Sequence, residues 1–272
     1  MLHDTLSGGM LLAAAAAPVV AAWRGIVRSP YRPGESLLYF GDVLLTRLLW
    51  RTTAPARLPL ADHQGAVLVC NHRSSVDPFF LQLAARRRVH WMVAREFCEH
   101  PAFAWFLNAC QVIPVRRTGA DTAATKAAIR LVREGGLVGM FPEGRINMTD
   151  RFMLPCRPGA AIIAQRAEAP LVPCYIAGSP YDRVPWSPFF MPARVRVSIG
   201  APIDVARPVG PHGEEASAAE LIAQCVRKIA ELAGREEFTV ELAGRQWRPT
   251  PAQLEADMRA AADRKRVGRQ GR

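Results

Sequence analysis

Hydrophobic and polar positions divide the chain into three parts. Residues 1–52 hold two long apolar stretches. Gly8 to Val27 is rich in alanine, leucine and valine, with Pro18 inside and Arg24 near its end. Its length is at the lower limit for crossing a bilayer. No basic leader precedes it, which argues against a secretory signal peptide. Arg24, Arg28 and Arg32 lie at its end and just beyond, where they would keep the following chain on the cytoplasmic side. In the second stretch, Ser36 to Arg51, a broad face of Leu37, Leu38, Phe40, Val43, Leu44, Leu45, Leu48 and Leu49 stands against a narrow stripe of Asp42, Thr46 and Arg47. This is the pattern of a helix lying in a membrane interface or packed on a domain. Two arrangements fit the pair: a helical hairpin dipping into one leaflet, or a signal-anchor helix followed by a core helix.

From residue 53 to 210 the pattern alternates. Short apolar runs of strand length are expected as strands at Ala66–Cys70, Val89–Ala94, Val112–Val115, Leu137–Phe141, Leu171–Ile176 and Val195–Ile199. Between them, helical spacing predicts helices at Pro78–Ala85, Phe97–Cys110, Thr122–Glu134 and Gly159–Arg166. Alternating strands and helices predict an α/β domain with a mixed, largely parallel sheet flanked by helices. Residues 211–272 carry an amphipathic helix at Ala216–Ala233, a second helix at Ala252–Arg264 and a basic tail over 264–272. The tail reads as a solvated end.

Composition narrows the function classes. The 272 residues are 50% hydrophobic and carry a net charge of +11. That balance favours an anionic partner: a membrane surface, a phosphorylated substrate or nucleic acid. No zinc-finger spacing, RNA-binding signature or aromatic-basic interleaving supports nucleic acid. The six cysteines include no C-x-x-C pair and read as reduced, mostly buried thiols. The six histidines are scattered without metal-ligand spacing.

Candidate chemistry concentrates after the first core strand. Asn71 and His72 follow the strand, and Asp77-Pro78 opens the next helix. Strand ends of this kind carry the chemistry of open α/β folds. On a continuous helix, a separation of five residues would point His72 and Asp77 about 140° apart. In a turn they can meet. Asp77 could then fix the tautomer of His72 and leave its second nitrogen to take a proton from a substrate hydroxyl, since no serine nucleophile accompanies the pair. The plainer alternative makes Asp77 a helix N-cap before Pro78.

The segments N-H-x-x-x-x-D-P at residue 71, I-P-V-R-R ending at Arg117, F-P-E-G-R from Phe141 and L-V-P-C-Y-I from Leu171 occur in order between residues 71 and 176. In that arrangement the chain resembles the glycerolipid acyltransferase family, which includes the 1-acylglycerol-3-phosphate acyltransferases. The resemblance implies transfer of an acyl group from an acyl thioester to a glycerolipid hydroxyl, giving phosphatidic acid. His72 would be the general base and Asp77 its orienting partner. Arg117 would bind the acceptor phosphate, Glu143 and Gly144 would shape the acceptor site, and Arg145 could add a second cation. Pro173 would shape the backbone near the thioester.

The resemblance also implies no cofactor: acyl-CoA or acyl carrier protein serves as donor substrate. Its expected partner is membrane lipid, and its expected location is the cytoplasmic face of a membrane. Two departures stand out. Gln111 occupies a position where the family often has glycine, and Arg145 follows Gly144 directly where many members have Thr or Ser. The second leaves other lysophospholipids and glycerol 3-phosphate open as acceptors. A hydrolase lacks its G-x-S-x-G serine here. A non-catalytic lipid-binding protein needs no His-Asp pair.

Overall fold

In the computed structural model, the described residues are 31, 33–116, 121–182, 184–205 and 217–244. The expected apolar segment at Gly8–Val27, the helix at Ala252–Arg264 and the basic tail lie outside them. The chain divides into two compact units, Met1–Leu45 and Thr46–Arg272.

In the first unit, helix α1 spans Pro33–Leu44. Its burial reverses the water-soluble pattern: Ser36 and Asp42 are buried, while Leu37 and Leu44 are exposed. A short π-helical turn, Leu45–Leu49, follows, with Thr46 buried and Leu48 exposed. No helix among the described residues is long and apolar enough to cross a membrane.

The second unit is an α/β sandwich. Its strands are β1 (Ala66–Cys70), β2 (Val89–Ala94), β3 (Ile113–Val115), β4 (Leu137–Met140), β5 (Leu171–Ala177) and β6 (Arg196–Ile199). They form one sheet in the order β3-β2-β4-β1-β5-β6. All neighbours are parallel except β5 and β6, which are antiparallel. The mixed, largely parallel sheet is therefore as expected. The helices are α2 (Asp77–Ala85), α3 (Arg95–Cys98), α4 (Pro101–Ala109), α5 (Thr122–Arg133), α6 (Gly159–Ala167) and α7 (Ala218–Leu232). The single helix expected over Phe97–Cys110 is broken before Pro101, whose ring cannot continue the preceding turn. His100 caps the second piece by accepting from the Ala102 amide.

Every residue of β1 is buried. Central strands of parallel sheets are covered on both faces, so they read as continuous apolar runs. Val67, Val69, Val138 and Leu171 pack with α5, α6 and α7 in one core. The buried face of α7, Leu221, Ile222, Cys225, Val226, Ile229 and Ala230, belongs to that core. A reciprocal cap between Ser217 and Glu220 starts this helix. Because β1 to β4 run parallel, the turns after β1, β3 and β4 all leave the sheet at the same edge. The six cysteines are free thiols, four of them buried.

Candidate active site

Helix α2 begins at Asp77, with Val76 rather than Asp77 in the capping position and no side-chain cap bond. The N-cap alternative is therefore set aside: the Asp77 carboxylate turns back onto the loop before the helix. Its Oδ2 accepts from the Arg73 amide at 2.7 Å, from the Ser74 amide at 2.8 Å and meets His72 Nδ1 at 3.0 Å. Its Oδ1 accepts from the Ser179 hydroxyl at 2.6 Å. A carboxylate oxygen that receives two amide protons is an acceptor, which makes Nδ1 of His72 the donor in their contact. Asp77 is fully buried and sits at a helix N-terminus, where the backbone dipole favours negative charge.

The plane of His72 is fixed separately. Its ring stacks on Phe141, with centroids 3.8 Å apart and planes 7° from parallel. Phe141 stacks in turn on Trp91 at 4.7 Å. Gly139 permits this. A Cβ there would lie 2.6 Å from Trp91 Cε3, so only glycine lets the indole lie over β4. The hydrogen bond to Asp77 orients the edge of the imidazole and the two aromatic rings hold its face.

The turn after β4 clamps the turn after β1. Glu143 Oε1 accepts from the His72 amide at 2.8 Å, and Oε2 accepts from the Leu154 amide at 2.8 Å. The Asn147 amide donates to the His72 carbonyl at 2.7 Å. Glu143 is buried. Burial pushes its carboxyl up to about 8, against the two amides and the Arg73 guanidinium, which favour the ionised form. Gly144 has φ +69°, and its amide closes the turn on the Phe141 carbonyl. Arg145 follows in the same turn, half-buried. On the other side, the Asn71 side chain bonds both the amide and the carbonyl of Ile176, extending the β1–β5 pairing past the strand.

Of the residues singled out from the sequence, the structure brings His72, Asp77 and Glu143 into one hydrogen-bonded cluster, with Gly144 and Arg145 beside it. Pro173 is buried inside β5, in register with Val69, and its ring faces Gly200. It does not join the cluster. Arg117 lies outside the described residues. Its neighbour Arg116 is exposed at the end of β3, with its amide donating to Asp121. Ser74, Ser179, Phe141 and Trp91 were not singled out for the site. The Gly178-Ser179-Pro180 turn after β5 was a legible signal, since it places a hydroxyl just beyond the same strand whose neighbour carries His72.

Comparison with known proteins decides the family. A family profile described as Acyltransferase matches residues 52–177. The 1-acyl-sn-glycerol-3-phosphate acyltransferase of Bacillus subtilis (strain 168) is 30% identical over 143 residues, 52% of this chain and 68% of that protein. The chain belongs to the glycerolipid acyltransferase family. It is an acyltransferase. A 1-acyl-sn-glycerol-3-phosphate acyltransferase of Cocos nucifera is 27% identical over 145 residues, 52% of this chain and 47% of that protein. The crystal structure of the 1-acyl-sn-glycerophosphate acyltransferase PlsC from Thermotoga maritima superimposes with a TM-score of 0.54 at 20% identity, covering 83% of this chain and 93% of that one. That likeness establishes a shared fold. The profile match begins at the threshold of the sandwich and ends with β5, so it contains both clamped turns.

Proposed function

We propose that this acyltransferase moves a fatty acyl group from an acyl thioester to the free hydroxyl of 1-acylglycerol-3-phosphate, giving phosphatidic acid. The observation that carries the mechanism is the His72 Nδ1–Asp77 Oδ2 contact of 3.0 Å beside a ring plane held by Phe141. Nε2 of His72 takes the hydroxyl proton as the oxygen attacks the thioester carbonyl. Asp77 stabilises the imidazolium that forms. The same proton then passes to the departing thiolate. Nothing further is needed to activate the acyl group, because the thioester is already electrophilic. Placement and proton transfer are what the enzyme supplies.

Glu143 acts on the acceptor indirectly, by holding the His72 backbone. Arg117 and Arg145 pair with the acceptor phosphate, a role suited to a guanidinium fork. Acyl-CoA or acyl carrier protein is the donor. The enzyme works at the cytoplasmic face of a membrane. Contact with a membrane is supported by Leu37 and Leu44 of α1, which are exposed while Ser36 and Asp42 are buried.

The test is acyl transfer with palmitoyl-CoA and palmitoyl-acyl carrier protein as donors. The acceptors are 1-acylglycerol-3-phosphate, glycerol 3-phosphate and lysophosphatidylethanolamine. Product with 1-acylglycerol-3-phosphate alone is the expected result. Product with another acceptor alone keeps the mechanism and replaces the substrate. Free fatty acid with every acceptor overturns the transferase chemistry.

A further inference from the structure

A run of aromatic rings crosses the surface next to the catalytic turn. Phe79, two residues past Asp77, contacts Phe106 at 5.9 Å and Phe189 at 6.0 Å. Phe106 leads on to Trp105, and Phe189 contacts the buried Trp50. Trp105 is 64% exposed, and of the residues flanking Phe189, Phe190 is 81% exposed and Trp186 55%. Rings of this size are rarely left in water without a partner. Phe189 and Phe190 lie on a short 3₁₀ turn, Ser187–Phe190, which Trp186 opens. The turn is fixed, since Trp50 Nε1 donates to the Pro188 carbonyl at 3.0 Å.

The 179–190 segment is also tied directly to the catalytic loop. Ser74 and Ser75 hydroxyls donate to the Pro180 and Pro185 carbonyls, each at 2.6 Å, and Ser179 reaches Asp77. Beside the rings, segment 49–53 runs along segment 193–197 through four backbone hydrogen bonds. Exposed arginines Arg51, Arg194 and Arg196 project from these two segments.

We infer that Trp105, Trp186 and Phe190, with Arg194 and Arg196 beside them, form a docking surface for an anionic lipid bilayer, in addition to the apolar faces of the N-terminal stretches. Tryptophan and phenylalanine seat at the headgroup level, and arginines beside them meet lipid phosphates. The chain's charge of +11 favours the same partner. Because the 179–190 segment is bonded to Asp77 and its loop, docking brings the His72–Asp77 pair down onto the surface that holds a lipid acceptor. Only this last consequence rests on the proposed lipid acceptor. The docking itself does not.

The full chain is tested on vesicles of phosphatidylcholine and phosphatidylglycerol. Overall binding is a poor readout if the N-terminal segments also hold the membrane, so two other signals are used. The first is quenching of tryptophan fluorescence by lipids brominated near the headgroup, comparing the native chain with W105F/W186F, which keeps the apolar surface and removes two indoles. A clear loss of quenchable emission is expected, over a remainder from Trp23 of the N-terminal stretch that both chains share, and it requires no turnover. The second is turnover of vesicle-borne acceptor by W186S/F190S, expected to fall about tenfold or more, in line with removing two buried rings from an interface. Its rate on a short-chain acceptor below the micelle concentration should be unchanged. Identical quenching in the native and W105F/W186F chains overturns the inference. So does a dimer in sedimentation velocity that W186S/F190S dissolves, because a second copy would then cover the patch.

Discussion

The turns after β1 and β3 leave the same edge of the sheet, and they offer different chemistry: a histidine paired with a carboxylate after β1, arginines after β3. The turn after β1 is locked. His72 is held through its ring nitrogen, its ring face, its amide and its carbonyl, by Asp77, Phe141, Glu143 and Asn147. The turn after β3 has Arg116 exposed. Three strand spacings separate β1 from β3, about 14 Å at ~4.8 Å per strand. A proton transfer tolerates errors of a few tenths of an ångström, so its base must be preorganised. A phosphate on a substrate lying between the two turns can be met by a guanidinium side chain, whose fork tolerates looser placement. The difference teaches that the locked turn should govern kcat and the arginines after β3 should govern KM.

The strongest way to break that division is at His72. His72→Ala is expected to lower kcat by about 10²–10⁴-fold, the usual contribution of a general base, while circular dichroism and the melting transition stay close to native. Substantial turnover by the folded variant would remove His72 from the chemistry. Next comes Arg117→Ala. The loss of a charge-assisted contact should raise the KM for a phosphorylated acceptor by about 10–100-fold and leave the donor KM unchanged. Equal changes in both would detach the β3 turn from the acceptor.

Phe141→Leu sharpens the comparison within the locked turn. An aromatic stack contributes about 0.5–1.5 kcal/mol beyond its buried area, so kcat should fall about two- to tenfold. Phe141→Tyr, which keeps a ring, should restore most of it; a tyrosine no better than leucine would mean the stack does not hold His72.

The smallest effect on activity, and a clear one on stability, concerns Glu143. Its carboxyl titrates near 8 when folded and near 4.5 when exposed, so the folded state binds the extra proton between those values. Stability is therefore greatest below pH 4.5 as far as this group is concerned, and declines as pH rises towards 8. Glu143→Gln should flatten that slope in urea unfolding measured from pH 5 to pH 8, while lowering stability throughout, because its amide NH₂ cannot accept from the Leu154 or His72 proton it faces. An unchanged slope would place the titration elsewhere.

Much of this was legible beforehand. The six strands were expected within a residue or two, because buried parallel strands announce themselves as unbroken apolar runs. The pairing of His72 with Asp77 was readable from their spacing across a strand end. Glu143 was singled out for the acceptor, but its partners were not foreseen: the amides of His72 and Leu154 carry no side-chain signature. The Trp91–Phe141 stack was missed for a related reason, since both rings lie on or after strands other than β1, whereas Ser179 was missed although the turn after β5 made it legible.

The sequence alone determined the alternation of strands and helices, the residues that end each strand and the types of side chain offered there. Local spacing and side-chain chemistry suffice for that. The tertiary structure decided which strand ends are neighbours. Placing β1 between β4 and β5 is what lets Phe141, Glu143 and Ser179 close on His72 and Asp77. Strand order depends on how two layers of helices cover the whole sheet, a long-range condition that no local stretch of residues contains.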